Sequence, residues 1–208
     1  MKSKLIFKIS ILVTLCFLAF NVAEAQSKFG FRAGVLISNQ EFKHSSLTAD
    51  PKSKLGLDLA LVSDFPLGEV VSFSPELHWL QKGYKIEDLD VNGQIFDFTS
   101  TLNYIELPLL VKFNFGETAK FFVMGGPSFG YLIGDKTEDS DGNEVAFIDQ
   151  IIDEFSKIEL GAHLGAGIGV GPVVIDVRYL LGITNIASDI QGAEFHNTGF
   201  GAGVAVMF

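Results

Sequence analysis

The final ten residues alternate without a break: Phe200, Ala202, Val204, Val206 and Phe208 fall on one side, Gly199, Gly201, Gly203, Ala205 and Met207 on the other. Successive side chains of a strand point to opposite faces, so this is a strand with one bulky face and one small one. An amphipathic helix would space its apolar residues by three and four instead. Residues 157–170 repeat the pattern, with Ile158, Leu160, Ala162, Leu164, Ala166, Ile168 and Val170 opposed to Lys157, Glu159, Gly161, His163, Gly165, Gly167 and Gly169. Six further segments fit the same template: 29–38, 54–65, 70–82, 101–115, 120–135 and 173–183. The pattern predicts an all-β chain of eight strands.

The connections between these segments fall into two kinds. Pro66–Glu69, Gly116–Ala119 and Gly171-Pro172 are tight, whereas 39–53, 83–100, 136–156 and 184–196 are long and polar. Short turns on one rim and long loops on the other is the layout of an up-and-down antiparallel barrel in an outer membrane, with short periplasmic turns and long extracellular loops. An even number of strands puts both ends of the barrel on the short-turn rim. Each segment has about ten residues or more, enough to cross a bilayer at the usual tilt.

Composition decides which way such a barrel faces. The chain is 48% hydrophobic and 19% charged, with 20 Phe and 22 Gly, yet beyond the N-terminus no apolar run is long enough for a membrane-spanning helix. One face of the strands is nearly continuous Phe, Leu, Ile and Val. The other carries Arg32, Asp58, Glu76, His78, Lys82, Glu106, Lys112, Lys157, Glu159, His163, Asp176 and Arg178, and is otherwise largely Gly, Ala and Ser. A soluble barrel such as a lipocalin-like binder keeps its apolar face inside. A membrane barrel reverses this, because charges are costly in hydrocarbon. An eight-stranded lumen is just wide enough to be filled by side chains, so the ionic face is predicted to form an internal, salt-bridged plug. Pro108 lies on that face and, lacking a ladder donor, predicts a local bulge or irregular pairing.

The N-terminus is read separately. Lys2, Lys4 and Lys8 precede an apolar stretch from Ile9 to Phe20, and Ala23-Glu24-Ala25 is a small–x–small cleavage site. Residues 1–25 therefore read as a cleaved signal peptide, and 26–208 as the barrel domain. Losing three lysines and one glutamate would take the net charge from −10 to −12 and remove Cys16, the one cysteine. So acidic a chain excludes nucleic acid as a partner, since phosphate binding depends on clustered Lys and Arg. Without cysteine the barrel has neither disulfide nor thiolate metal chemistry.

The opening Phe29-Gly-Phe-Arg-Ala-Gly34, the run Tyr104-Ile-Glu-Leu-Pro-Leu-Leu-Val-Lys112 and the terminal Phe208 resemble the Bacteroidetes-type outer-membrane barrels called PorT-like, and in architecture the OmpA/OmpX small barrels. The resemblance covers nearly all of 26–208. It implies outer-membrane lipid as surroundings and the barrel assembly machinery as a partner, with Phe208 as the C-terminal aromatic which that machinery reads. It implies an address more firmly than an activity, since the name-giving member is linked to protein secretion and most relatives have no assigned role.

Some outer-membrane barrels hydrolyse lipid with Ser and His on the lipid-facing wall. Here His78 and His163 are assigned inward beside Glu76 and Glu159, and there is no Gly-x-Ser-x-Gly elbow; His196 lies in a loop. Asp139, Asp141 and Gly142 match the middle of a calcium loop, but Thr137 and Ile148 fall where acids are required. Phe147–Phe155 has helix-compatible spacing, either as a short helix on the outer rim or as an extension of the sixth strand. No catalytic, cofactor or metal residues are assigned. The expected role is non-enzymatic, structural or interactive through acidic external loops that could meet a protein partner. The alternatives are a narrow pore or small-ligand conduit, then a lipid-modifying enzyme or a soluble lipocalin-like binder.

Overall fold

The structure is a computed structural model that describes residues 27–43, 51–91, 94–139, 141–144, 156–185 and 194–208. Eight strands form one closed barrel in sequence order: β1 (Lys28–Lys43), β2 (Lys52–Pro66), β3 (Val71–Val91), β4 (Gln94–Phe115), β5 (Ala119–Asp139), β6 (Ile158–Val170), β7 (Val173–Gly182) and β8 (Glu194–Met207). Every neighbour is antiparallel, and β1 closes on β8 from Gly30↔Met207 to Lys43↔Glu194. Closure removes the open sheet edges that lipid would not tolerate. The seam is tied at the short-turn rim, where the Phe29 amide donates to Phe208 O at 3.1 Å and the Phe208 amide to Phe29 O at 2.7 Å. Gly171 turns the two-residue link between β6 and β7 with a left-handed φ of 59°, a conformation glycine adopts without steric cost.

The barrel is inside-out relative to a soluble protein. Leu57 and Val204 are 48% and 47% exposed on the outer wall, whereas Glu106 and Arg178 are 2% and 4% exposed in the lumen. Alternation on each strand thus sorts lipid-facing from lumen-facing residues as the sequence predicts.

Three features differ from the sequence reading. Gly83–Ser100 is no loop: β3 runs on to Val91 and β4 starts at Gln94, with the ladder kept through Lys85↔Thr99 and Asp90↔Ile95. Alternation continues there with its polarity reversed, Tyr84 and Ile86 buried and Lys85 and Glu87 exposed, so the lipid-facing pattern of the lower strands is lost although pairing continues. The lumen face is also far from only small and ionic. Leu36, Leu80, Leu102, Leu110, Leu132 and Leu180 are all buried inside it, because residues that fill a sealed interior can themselves be apolar. Finally, Pro108 makes no bulge, since Pro108↔Ser128 and Val111↔Gly125 share one register, but pairing around it is irregular: the β3 ladder skips Leu107 and Pro108 and the β5 ladder skips Leu109 and Leu110. The break in the β4–β5 ladder falls at Asn103/Tyr104. Phe147–Phe155 lies outside the described residues, as do residues 1–26.

Candidate functional site

The inward charges meet in two clusters, each assembled from strands distant in sequence. In the first, Arg32 on β1 donates through Nε and Nη2 to Asp176 on β7 at 2.9 and 2.8 Å, and through Nη1 to Asp58 on β2. Arg178 donates to Asp176 Oδ1 at 2.6 Å and to Glu76 Oε2 at 2.5 Å. His78 is held between two carboxylates, with Nδ1 2.6 Å from Asp58 Oδ1 and Nε2 2.8 Å from Glu76 Oε2. Lys112 stands at the edge of this cluster, 3.8 Å from Glu76 Oε1.

The second cluster centres on Lys82. Its ammonium lies 2.8 Å from Glu106 Oε2, 3.1 Å from Glu159 Oε1 and 4.9 Å from the centroid of the Tyr104 ring. His163 Nε2 is 2.7 Å from Glu106 Oε1. Asn197 donates to Glu159 Oε2 at 2.8 Å and accepts from Gln40 Nε2 at 2.9 Å. The clusters touch through His78 and His163, whose ring centroids are 6.0 Å apart.

Local sequence explains why the large ions fit. Strand β8 presents Gly199, Gly201 and Gly203 to the lumen, and a Cβ on Gly203 would fall 2.4 Å from Arg32 Cζ. On β6 a Cβ at Gly165 or Gly167 would fall 2.6 Å from Met124 Cε or 2.4 Å from Phe122 Cζ. The glycine face of these strands is therefore the space that long side chains from β1 and β5 occupy.

All eleven lumen residues assigned from the sequence are buried: Arg32, Asp58, Glu76, His78, Lys82, Glu106, Lys112, Glu159, His163, Asp176 and Arg178. Lys157, placed on the same face by parity, is instead exposed ahead of β6, where alternation no longer governs direction. His196 is half-buried on β8, off the lumen face. Thr137 is fully buried against Ser100 Oγ at 3.5 Å, so it does not serve the acidic turn that follows. Sequence reasoning missed Gln40, Asn197 and Tyr104 as members of the network. Tyr104 lies at an inward position but does not stand out on a mixed face, while Gln40 and Asn197 fall outside the predicted strands because β1 and β8 run further than the alternation.

Chemically the arrangement is closed on itself. The set holds four cations (Arg32, Lys82, Lys112, Arg178) and five carboxylates (Asp58, Glu76, Glu106, Glu159, Asp176). Each carboxylate already accepts from a cation, a histidine or an amide, the arrangement that buried charges require. On the long-loop side of the first cluster the lumen is filled by Leu36, Leu80, Leu102, Tyr104 and Leu180. On the short-turn side, Ala60, Val62, Ala205 and Met207 form one apolar cluster and Leu110, Phe122 and Met124 another, with Val174 against both. Among the described residues no group of three or more His, Cys, Asp or Glu is arranged to hold a metal ion.

Several solved structures are similar to this chain, at a distance. The attachment invasion locus protein Ail of Yersinia pestis is 14% identical over 86% of this chain and 99% of its own, with a TM-score of 0.39. Neisserial surface protein A is 15% identical over 86% and 97%, with a TM-score of 0.44. The N-terminal β-barrel domain of Pseudomonas aeruginosa OprF is 10% identical over 85% and 97%, with a TM-score of 0.37. None of the curated proteins matches the chain. Residues 23–188 match the family described as outer membrane protein beta-barrel domain, and with most of its length inside that match the chain belongs to this family.

Proposed function

We propose that this outer-membrane barrel is non-enzymatic, that its lumen is closed by its own ion pairs and leucines, and that it acts through the acidic segments of its long-loop rim. Such a barrel braces the envelope or presents a contact surface to a protein partner. The observation that carries the reading is the burial of the lumen charges, most of them in close ion pairs, with leucines filling the lumen beside them. Planar-bilayer recordings on the purified protein test it. No conductance steps are expected, and reproducible unitary steps would overturn the closed lumen. Shortening the 44–51, 140–157 and 183–193 connections tests the rim: loss of an envelope, secretion or adhesion phenotype is expected, and none would count against a contact role.

A narrow conduit is the second reading. What favours it is a cavity at the short-turn end that reaches Glu76, Lys112 and Arg178, and the same recordings separate it from the first. A lipid-modifying enzyme would need Ser and His together on the lipid-facing wall. The engagement of His78 and His163 inside the barrel, each with a carboxylate, supports the non-enzymatic reading.

The maturation steps belong to the same proposal. Residues 1–25 are removed on export, so N-terminal sequencing of the membrane form is expected to start at Gln26. Phe208, 71% exposed beside the Phe31 ring at the short-turn rim, is the residue the assembly machinery reads. The likeness to PorT-like barrels supports that role.

A further inference from the structure

We infer that the short-turn end of the lumen is a binding site for a small monocarboxylate with a short alkyl tail, seated on Lys112. The cavity there encloses about 270 Å³, just below the small end of ordinary ligand pockets at roughly 300–1,000 Å³. Its walls are apolar, made by Val62, Phe122, Val174, Ala205 and Met207. Lys28, Lys120, Asp64 and Glu117 also line it, two of each sign, and Asp64 Oδ1 is buried there without a hydrogen-bond partner among the described residues.

The inner end is where the charge chemistry is unfinished. Glu76 and Asp176 line it, but each already accepts close hydrogen bonds, Glu76 from Arg178 and His78, Asp176 from Arg32 and Arg178. Lys112 differs. Its side chain is nine-tenths buried, yet its ammonium makes no hydrogen bond among the described residues, and its one ion-pair partner is Glu76 Oε1 at 3.8 Å. Beneath it lies the Phe122 ring, with its centroid 5.4 Å away. An ammonium has three donors, and a buried one is costly without a partner. A carboxylate supplies the missing acceptors in one group, and the apolar walls cover an alkyl tail. This goes beyond the proposed role of the barrel and does not depend on whether the lumen conducts.

The chain has three methionines, Met1, Met124 and Met207. Met207 lines the cavity, and Met124 packs behind its wall with Leu110 and Phe122. The test is methyl NMR of [13C-methyl]methionine-labelled protein in lipid nanodiscs, titrated with hexanoate and, separately, with the neutral isostere hexanamide. Hexanoate is expected to shift the Met207 methyl saturably and by more than Met124, with hexanamide at least about tenfold weaker, as loss of one charge-assisted contact implies. Lys112→Gln is expected to weaken hexanoate about tenfold or more, and Lys112→Arg to retain most of it. An absent or non-saturating Met207 shift, or equal response to the two probes, overturns the inference, as does unchanged binding in Lys112→Gln. Should Lys112→Gln not fold, the comparison of the two probes on the unaltered protein decides alone.

Discussion

The guanidinium of Arg32 occupies the space where residue 203 has no side chain: a Cβ on Gly203 would sit 2.4 Å from Arg32 Cζ and 2.5 Å from Nη2. Arg32 cannot retreat without abandoning Asp58 and Asp176, which it holds at once. Gly203→Ala is therefore expected to destabilise the barrel by about 1–3 kcal/mol, the usual cost of overpacking a filled interior. Ala202→Val, one residue along on the exposed wall, is the control and should change stability little. Urea unfolding in lipid vesicles measures both, and equal effects at the two positions would contradict a filled lumen.

Burial sets the worth of ion pairs here, and two glutamates at different depths allow a comparison. Glu76 accepts from Arg178 and His78 while wholly shielded, whereas Lys52 and Glu87 pair with side chains 54% and 42% exposed. Glu76→Ala leaves Arg178 and Lys112 short of an anion and should cost about 3–5 kcal/mol. Glu87→Ala should cost about 1 kcal/mol or less. Unfolding midpoints that moved equally in the two variants would mean that water reaches the belt.

The parts of this fold legible in the sequence are those where the two faces meet different surroundings. Phe200 to Phe208 could be read as a strand because lipid lies on one side and a crowded lumen on the other. The same reasoning placed Arg32 and Asp176 on the inner face, but not in contact, because parity gives a face and not a height. Only the closing β1–β8 seam brings together residues 144 apart in the chain. Leu36, Leu80 and Leu180 sit at inward positions too, yet they escaped notice because an apolar residue fits either face. The extension of β3 and β4 to Val91 and Gln94 has one mark in the sequence. The two residues between them, Asn92-Gly93, are the commonest signature of a two-residue hairpin.

Outside the membrane, Asp139 gives a prediction with a sign in pH. It lies past Tyr131, the last β5 residue paired with β6, at the end of the strand and half-buried. Its Oδ1 accepts from the Asn143 amide at 2.8 Å and the Asp141 amide at 2.9 Å. The Asn143 backbone hydrogen bond, then that residue's side chain, holds the carboxyl below its ordinary value of 3.8. A depressed carboxyl stabilises the turn above the unfolded pKa and ceases to as pH falls through the folded one. The Asp141 and Asn143 amide resonances should therefore keep their hydrogen-bonded shifts at pH 4 and lose them only below the ordinary aspartate pKa. Asp139→Ala should abolish those shifts at every pH, and their survival in that variant would show that the turn is held by other contacts.

The outer wall fixes where the bilayer must lie. A strand crosses the hydrocarbon in about 9–11 residues, and on β2 the exposed series Leu55, Leu57, Leu59 and Leu61 leads to Phe65, whose ring meets Phe29 at 5.8 Å near the short-turn rim. Counted from that aromatic rim, Leu59 and Leu61 stand near the midplane and Leu55 near the outer interface. Leu59→Arg should then cost about 2–4 kcal/mol and Leu55→Arg about 0–1 kcal/mol, following the depth dependence of charge on a lipid-facing wall. Refolding into vesicles with urea gives both numbers. Equal penalties at the two depths would mean that the apolar belt of β2 faces protein and not lipid. A stabilising Arg at residue 59 would contradict the membrane placement altogether.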